Sequence, residues 1–355
     1  MRENFSTEAY ARLRTILVVG YALIIIYASL SPFTGWDEQG LNFDDVLRAP
    51  LKLTYTPFDA ILNLLAYVPL GLLTSLVLRE HFSLLVSILA GVVAGTLLSV
   101  SMEYLQMFLP ARVSSNTDIL SNSIGALLGA LLAVSMNPRT WLFSRLAHWR
   151  SHMFQRDAEM DYGLALLVLW MFGQVNPTLP MLGNVFISEA QRQPFAAAPA
   201  SHFNSWEASA VALNLVMLGA LLLTLLRLPR RAMATLLAVL GIVAATKFFT
   251  AAILLKSWAL LLWINSEAIL GVSAGIVLIF LALHQSRNVV TGLGIFASLG
   301  YFCIVNFFLG ENSPESAKSI YYWHYRHLLT YSGLAQTIAL VFPLLLLMHL
   351  WRLRR

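Results

Sequence analysis

Two apolar stretches near the N-terminus carry polar side chains at helical spacing. The first reads FDAILNLLAYVPLG over residues 58–71, and the second reads EYLQMFLPARVSSNTDILSNSIG over residues 103–125. Carboxylates, amides and one arginine therefore lie inside or beside segments that are apolar enough to cross a bilayer. Because ionisable groups at membrane depth are costly, such groups mark a candidate functional site.

The composition of the whole chain indicates a polytopic membrane protein. Of its 355 residues 58% are hydrophobic and only 12% are charged, and the mean hydropathy is +0.70. Strand-like alternation is absent, so we expect an all-α bundle. Apolar runs of roughly 18–25 residues, each long enough to cross a bilayer, predict about ten spans. Their approximate limits are 14–32, 59–78, 82–108, 117–136, 161–180, 208–226, 232–254, 258–283, 289–309 and 328–350.

The distribution of basic residues predicts that both termini are cytoplasmic. Cytoplasmic loops of membrane proteins carry an excess of Lys and Arg, and this orientation puts most of the 23 Lys and Arg residues inside. We therefore expect a multi-pass protein of the inner (plasma) membrane. The first span is too long for a cleaved signal peptide, and we interpret it as an anchor.

The sequence also excludes several kinds of site and partner. Cys303 is the only cysteine, which excludes disulfides and cysteine-based metal sites. Glycine-rich phosphate loops and Cys/His zinc spacings are absent. The net charge of +5 is an orientation signal rather than a nucleic-acid footprint, since no basic domain is present.

The longest predicted cytoplasmic loop divides the chain. Residues 137–160 mix arginines with aromatic residues and form either an amphipathic segment on the inner leaflet or a simple linker. We predict a four-helix membrane domain over residues 1–136, a basic amphipathic linker over 137–160 and a six-helix membrane unit over 161–355.

Seven polar residues are expected at similar depth, just below the outer surface. They come from three predicted spans and one short connection, and those within one span share a helix face. The set is Asp59, Asn63, Glu103, Gln106, Arg112, Asp118 and Asn122.

Small residues in the same spans predict close helix packing. Gly91 and Gly95 are four residues apart in the third span, and Gly125 and Gly129 are four apart in the fourth. Pro69 is expected to bend the second span, and Gly71 tolerates a close neighbour there. The predicted packing residues are Pro69, Gly71, Gly91, Gly95, Gly125 and Gly129.

The formal charge of the seven-residue cluster is unbalanced. Three carboxylates face one arginine, and an excess of two negative charges is costly at low dielectric. Proton uptake, a bound cation or access to outer water would relieve it, and a divalent cation held by carboxylate and amide oxygens would suit the chemistry. The alternative is structural: Asp59 and Asp118 as helix caps, Arg112 as the partner of Glu103 or Asp118, and the amides as interhelical packing groups.

These residues resemble the VanZ-like family, which is named for a glycopeptide-resistance accessory protein. The family pattern of Asp-x3-Asn leading into Pro-x-Gly, then Glu-x2-Gln, a loop Arg and Asp-x3-Asn-x2-Gly covers about residues 14–136. It reads here as Asp59, Asn63, Pro69, Gly71, Glu103, Gln106, Arg112, Asp118, Asn122 and Gly125. The resemblance implies a small helical membrane domain linked to the cell envelope, with no settled biochemical activity.

In the C-terminal unit, Lys247 and Glu267 are the notable charges. Each is roughly 15 Å from the turn of a predicted hairpin at 1.5 Å per residue. We therefore expect an intramembrane ion pair, which is either a fixed structural bridge or part of a proton or substrate relay.

Three functions fit these observations. The first is a membrane protein that binds or modifies a lipid-linked or glycan envelope intermediate through the outer polar pocket. The second is a transporter or flippase, and the third is a non-catalytic scaffold of an envelope assembly. Membrane lipids are partners in each case. The sequence does not assign an enzyme reaction, because no nucleophile with an adjacent base is found.

Overall fold

Helices are the main secondary structure in the part of the chain that the structure describes. The computed structural model describes residues 2–31, 33, 35–51, 57–110, 112–135, 141–155, 158–183, 203–255, 260–309 and 325–354. The helices are α1 (Arg2–Leu30), α2 (Phe43–Arg48), α3 (Pro57–Leu78), α4 (Leu84–Gln106), α5 (Asn116–Ser135), α6 (Trp141–Met153), α7 (Ala158–Gly173), α8 (Ser205–Leu225), α9 (Ala232–Leu254), α10 (Ser266–Ala282), α11 (Arg287–Cys303) and α12 (Tyr325–Arg354). A π-helical turn, Ile304–Phe308, continues α11.

Eight of the described helices are long and apolar enough to cross a membrane. The protein is therefore a multi-pass helical membrane protein, as the composition predicts. The eight are α1, α3, α4, α5, α8, α9, α11 and α12.

Two of the ten predicted spans are shorter than expected. The span predicted at 161–180 is α7, which ends at Gly173 because Asn176 precedes Pro177, and a residue before proline disfavours the helical region. The span predicted at 258–283 is α10, which begins only at Ser266. There the side chain of Asn265 accepts a hydrogen bond from the backbone N–H of Ala268 and fixes the helix start.

The chain divides into two compact units, Met1–His152 and Met153–Arg355. The division falls within the segment 137–160 that the sequence marks as a linker, but this segment is not structureless, because α6 occupies most of it. Phe154 is buried rather than presented to a leaflet: it forms an isolated antiparallel bridge with Leu226.

Glycines bring α3 and α5 into backbone contact in the first unit. A methyl group on Gly71 would overlap the carbonyl oxygen of Ala126, and methyl groups on Gly125 and Gly129 would overlap the carbonyl oxygens of Leu64 and Val68. In α4, a methyl group on Gly95 would lie 2.6 Å from Cβ of Ala126. All these close approaches require the absence of a side chain.

Two further residues of the predicted packing set lie beside this contact. Gly91 faces Ser75, whose hydroxyl occupies the place that a side chain at residue 91 would need. Pro69 is inside α3, which continues past it to Leu78. Because proline lacks an N–H, the helix loses one hydrogen bond at this turn.

The end of the first unit opposite the polar cluster carries a small charged network. Arg14 of α1 and Glu80, which follows α3, form an ion pair at 3.1 Å. Arg79 donates a hydrogen bond of 3.0 Å to the carbonyl oxygen of Ala133, near the end of α5. Three helices are thus joined at this end by side chains.

In the second unit, α8 is the central helix. Its side chains are buried around most of its circumference, as expected for a helix that is apolar on all sides. Helices α7, α10, α11 and α12 all pack against it. Two polar residues on α8, Glu207 and Asn214, are therefore placed in the interior of the unit.

We predict that Gly129→Ala destabilises the first unit strongly, whereas Gly20→Ala does not. The added methyl group at residue 129 meets backbone, and relief requires a shift of α3 that costs about 1–3 kcal/mol. At Gly20, in α1, nothing lies within 4 Å of the added Cβ. Thermal unfolding of the detergent-purified variants measures the difference; equal unfolding temperatures would contradict the close α3–α5 contact.

Candidate functional site

The carboxyl end of α1 is capped by two residues of the predicted polar cluster. The last carbonyl groups of a helix have no partner within it. Gln106 donates a hydrogen bond of 2.9 Å to the carbonyl oxygen of Ser29. Arg112 donates to the carbonyl oxygens of Ala28 at 2.8 Å and Ser31 at 2.7 Å through Nη2, and again to Ser31 at 3.1 Å through Nε.

The remaining carbonyls at this end are satisfied by backbone. Ser31 N–H donates to Tyr27 and Phe33 N–H donates to Leu30, each at 2.9 Å. Every carbonyl oxygen from residue 27 to residue 31 thus accepts a hydrogen bond. A guanidinium group at a helix carboxyl end is also stabilised by the helix dipole.

The carboxylate of Glu103 caps the amino end of a helix, whereas Gln106 and Arg112 cap a carboxyl end. Its Oε2 accepts a hydrogen bond of 2.7 Å from the backbone N–H of Ser115, just before α5 begins. The Ser115 hydroxyl accepts from the N–H of Thr117 at 3.2 Å. A carboxylate is favoured at this positive end of the α5 dipole, which explains how a side chain only 3% exposed is tolerated there.

A buried polar layer lies one helical turn deeper. Asn122, which is 5% exposed, donates through Nδ2 to the hydroxyl oxygen of Ser99 at 2.9 Å. Tyr67 of α3 is also buried, and the charge of Glu103 acts on it. The Oδ1 atom of Asn122 has no hydrogen-bond partner among the described residues. The amide oxygen of Asn122 can therefore accept a further hydrogen bond.

Tyr67 and Ser99 are absent from the set predicted from sequence. Their spacing carries the signal: Tyr67 follows Asn63 by four residues, and Ser99 precedes Glu103 by four. Each continues the polar face of its helix by one turn. A tyrosine and a serine are common enough in membrane helices that periodicity alone does not single them out.

The other predicted cluster residues lie at the same end of the unit. Asp118, in the first turn of α5, and Arg112 are close enough to Glu103 to interact with it electrostatically. Asn63 is half-buried in α3 and makes no side-chain hydrogen bond to any described residue. The side chain of Asp59 lies outside the described residues.

The arrangement offers oxygen donors from two helices but no complete metal centre. In the described part of the chain no three His, Cys, Asp or Glu residues are grouped so that they could hold a metal ion. Glu103, Asp118 and Asn122 supply the oxygens that would bind a cation here, and Arg112 supplies the positive charge that would bind an anion.

The comparison with known families finds a match in the N-terminal part of the chain. Residues 6–137 match the VanZ/LLP1 family. The N-terminal region is thus similar to VanZ-like domains, as the sequence pattern predicts. No curated protein and no solved structure matches the chain.

Two of the residues that carry the VanZ-like resemblance thus have a described structural contact that was not expected. Gln106 and Arg112 hold the carboxyl end of α1, a helix that contains none of the named residues of the pattern. The contact is long-range, since 77 residues separate Gln106 from Ser29. It joins the α4–α5 part of the VanZ-like domain to its first helix.

The ion pair expected between Lys247 and Glu267 is not formed. Lys247 is 1% exposed, and its ammonium group donates to the carbonyl oxygens of Asn176 at 2.6 Å and Leu179 at 3.1 Å. The hairpin geometry behind the prediction fails because α10 begins at Ser266, so Glu267 is in its first turn rather than deep in a span.

Glu267 instead binds local groups. Its Oε1 accepts from the backbone N–H of Asn204 at 3.1 Å, just before α8, and its Oε2 accepts from the Ser266 hydroxyl at 2.9 Å. The carboxylate joins the beginnings of α8 and α10. Asn265 serves as the cap of α10.

We predict that Arg112→Gln loosens the end of α1. The shorter side chain loses hydrogen bonds from a charged donor, each worth about 1.5–3 kcal/mol. Hydrogen exchange should rise at the backbone amides of Ser31 and Phe33. A matched control is Ser101→Ala, which removes only an exposed hydroxyl bonded to its own helix. Unchanged exchange in Arg112→Gln would show that the guanidinium does not cap α1.

We also predict that Lys247 and Glu267 are energetically independent. In a double-mutant cycle with Lys247→Met and Glu267→Gln, the coupling should be within about 0.5 kcal/mol, because the two side chains share no contact. Thermal unfolding of the wild type, both single variants and the double variant supplies the four values. A larger favourable coupling energy would show that Lys247 and Glu267 do form an ion pair.

Proposed function

We propose that this protein resides in the inner membrane and binds or modifies a lipid-linked or glycan intermediate of the cell envelope. The site would be the polar end of the VanZ-like domain. The headgroup would meet the residues at the ends of α1, α4 and α5, and the lipid chain would lie along the outer helix faces. The multi-pass fold and the family match support the general placement in a membrane.

The observation that supports the proposal best is the fixed position of the Arg112 guanidinium. Its guanidinium is half-exposed and is held by three hydrogen bonds to the backbone of α1, beside the carboxylate of Glu103. A fixed arginine loses little side-chain entropy when a ligand binds, so it is preorganised for an anionic group. Planar guanidinium donors suit phosphate in particular.

The surfaces beside this end suit a long apolar chain. Ile61 and Leu65 on α3 and Leu120 and Ile124 on α5 are exposed large hydrophobic residues close to the polar cluster. In a bilayer they contact lipid tails. A molecule with a polyprenyl tail and a phosphate headgroup would match both the apolar faces and the arginine.

The cluster residues take different roles in this proposal. Arg112 would contact phosphate, and Glu103 and Asp118 would hold a cation or supply acid–base chemistry. Asn63 and Asn122 would orient the ligand through their amides. Gln106 is reassigned to holding α1, because its side-chain amide donates to Ser29. Asp59 keeps its predicted role as a ligand-binding residue.

A scaffold within an envelope assembly is the second candidate. It is favoured by the capping contacts of Gln106 and Arg112, which are structural and long-range. In that case substitutions in the cluster would lower the amount of folded protein. The transporter or flippase proposal loses one of its supports, since Lys247 and Glu267 bind separate groups.

The binding proposal predicts that Asn63→Ala reduces co-purified lipid without loss of stability. Asn63 makes no described hydrogen bond, so its removal leaves the fold intact. Loss of one hydrogen bond to a charged headgroup would weaken binding about tenfold. Native mass spectrometry of the purified protein measures the bound lipid, and thermal unfolding measures stability.

The matched control is Asn306→Ala in the other unit, where the amide bonds only to the carbonyl oxygen of Phe302 in its own helix. This variant should retain the lipid. Lipid occupancy that is the same in Asn63→Ala and in the wild type would count against the ligand site. Lower folded abundance in Asn63→Ala would favour the scaffold.

A further inference from the structure

One end of the second unit combines the starts of α7 and α11 with the ends of α8 and α12. A side chain at Gly163 of α7 would meet Leu225 of α8 and His349 of α12. A side chain at Gly294 of α11 would meet Leu350 of α12. These contacts place the four helix ends side by side. The distribution of basic residues predicts that this end is cytoplasmic.

This end of the unit is strongly basic. Arginines occupy the connection between α8 and α9, the first position of α11 and the last turn of α12, and all of them are exposed. The described carboxylates at this end are Glu159 and Asp161, in the first turn of α7, and Asp161 is fully buried. Positive charge therefore exceeds negative charge at this surface. The described arginines are Arg227, Arg230, Arg231, Arg287, Arg352 and Arg354.

Two of these arginines, Arg287 and Arg352, come from different helices and converge on one place. The charges of both act on the imidazole ring of His349, so guanidinium groups from α11 and α12 lie near the same side chain. His349 is fully buried, and neither of its ring nitrogens has a hydrogen-bond partner among the described residues. Neither arginine forms an ion pair with a described carboxylate. Both guanidinium groups are therefore available to a ligand.

The chemistry of this arginine pair suits an oxyanion. Two positive charges that act on one buried ring repel each other, and an anion shared between them relieves that repulsion. Planar guanidinium donors match the oxygens of a phosphate group. Arg287 is the first residue of α11, so the positive end of that helix dipole adds to the attraction.

The surfaces next to the arginine pair suit a lipid. Both α11 and α12 are long and apolar enough to cross a membrane. In a bilayer their exposed apolar side chains contact acyl chains, and a tryptophan beside a helix end lies at the level of the headgroups. The exposed large hydrophobic residues near this end are Val289 and Phe296 on α11 and Leu344, Met348 and Trp351 on α12.

We propose that Arg287 and Arg352 form a binding site for the phosphate group of an anionic phospholipid in the adjacent leaflet. The guanidinium groups would bind the phosphate oxygens, and the acyl chains would lie along the apolar faces of α11 and α12. Basic sites between the ends of membrane helices bind anionic headgroups in this way. The site belongs to the second unit alone, and its ligand is a bulk membrane lipid rather than an envelope intermediate.

The test measures lipid binding to the purified full-length protein in detergent. Thermal unfolding is followed while dioctanoyl phosphatidylglycerol is added, and dioctanoyl phosphatidylcholine and inorganic phosphate are added in parallel samples. A ligand that binds the folded state raises the unfolding temperature in a saturable way. We expect such a rise with phosphatidylglycerol and a much smaller one with phosphatidylcholine, whose choline cation is repelled by the arginines, or with inorganic phosphate.

The decisive variants are Arg287→Gln and Arg352→Gln. Each removes a charged donor, so the half-saturating concentration of phosphatidylglycerol should rise about tenfold. Both side chains are exposed, and the fold does not depend on them. Arg230→Gln is the matched control, because it makes the same change of charge at an exposed arginine that is not among the charges acting on His349. It should bind phosphatidylglycerol as the wild type does.

Several results would overturn the proposal. Equal stabilisation by both lipids would show that the acyl chains alone bind, and an equal effect of inorganic phosphate would show an ion site without a lipid. Unchanged affinity in both Arg287→Gln and Arg352→Gln would place the lipid elsewhere. An equal loss of affinity in Arg230→Gln would show diffuse attraction only. Lipid retention by Asn63→Ala, in the first unit, reports separately on the function proposed for the VanZ-like domain.

Discussion

The hydrogen bonds at the carboxyl end of α1 are the constraint on which the first unit depends. Backbone carbonyls at membrane depth must be satisfied within the protein, because no water is available to them in hydrocarbon. Gln106, the last residue of α4, and Arg112, in the connection to α5, meet this requirement. The positions of α4 and of the connection to α5 are thereby fixed relative to α1, and the polar cluster is assembled around that junction.

In both units, cationic side chains donate hydrogen bonds to backbone carbonyls that have no partner within a helix. In the second unit, the segment after α7 turns away from its helix and leaves carbonyl groups at Val175, Asn176 and Leu179. Lys247 donates to the last two, and the Thr250 hydroxyl donates to the first at 3.1 Å. In both halves of the chain, a cationic side chain thus donates to backbone carbonyls at or just after the end of a helix. This explains why a charged residue in an apolar span need not have a carboxylate partner.

Much of the architecture was accessible from the sequence, and the failures have physical causes. The apolar runs predict the helices, and the small residues at spacing four mark the α3–α5 contact. The polar cluster was found because its members recur at helical spacing. What the sequence does not contain is the identity of a hydrogen-bond partner that is distant along the chain. Lys247 was expected to pair with a carboxylate, and for Arg112 such a pair was the structural alternative to ligand binding. Both side chains bind backbone carbonyls, which every residue carries and no pattern distinguishes.

The glycine contact between α3 and α5 has a consequence for how the chain is made. Helices enter the membrane in the order of synthesis, and α4 separates α3 from its closest partner. After α4 is inserted, Gly71 still faces a vacant surface that only the backbone at Ala126 fills. Helices α1, α3 and α4 are therefore inserted before the packing of the unit is complete, and α5 completes it. Biogenesis of this unit ends with a single docking step, and a ribosome that stalls before residue 135 would leave an unsealed intermediate for the quality-control machinery.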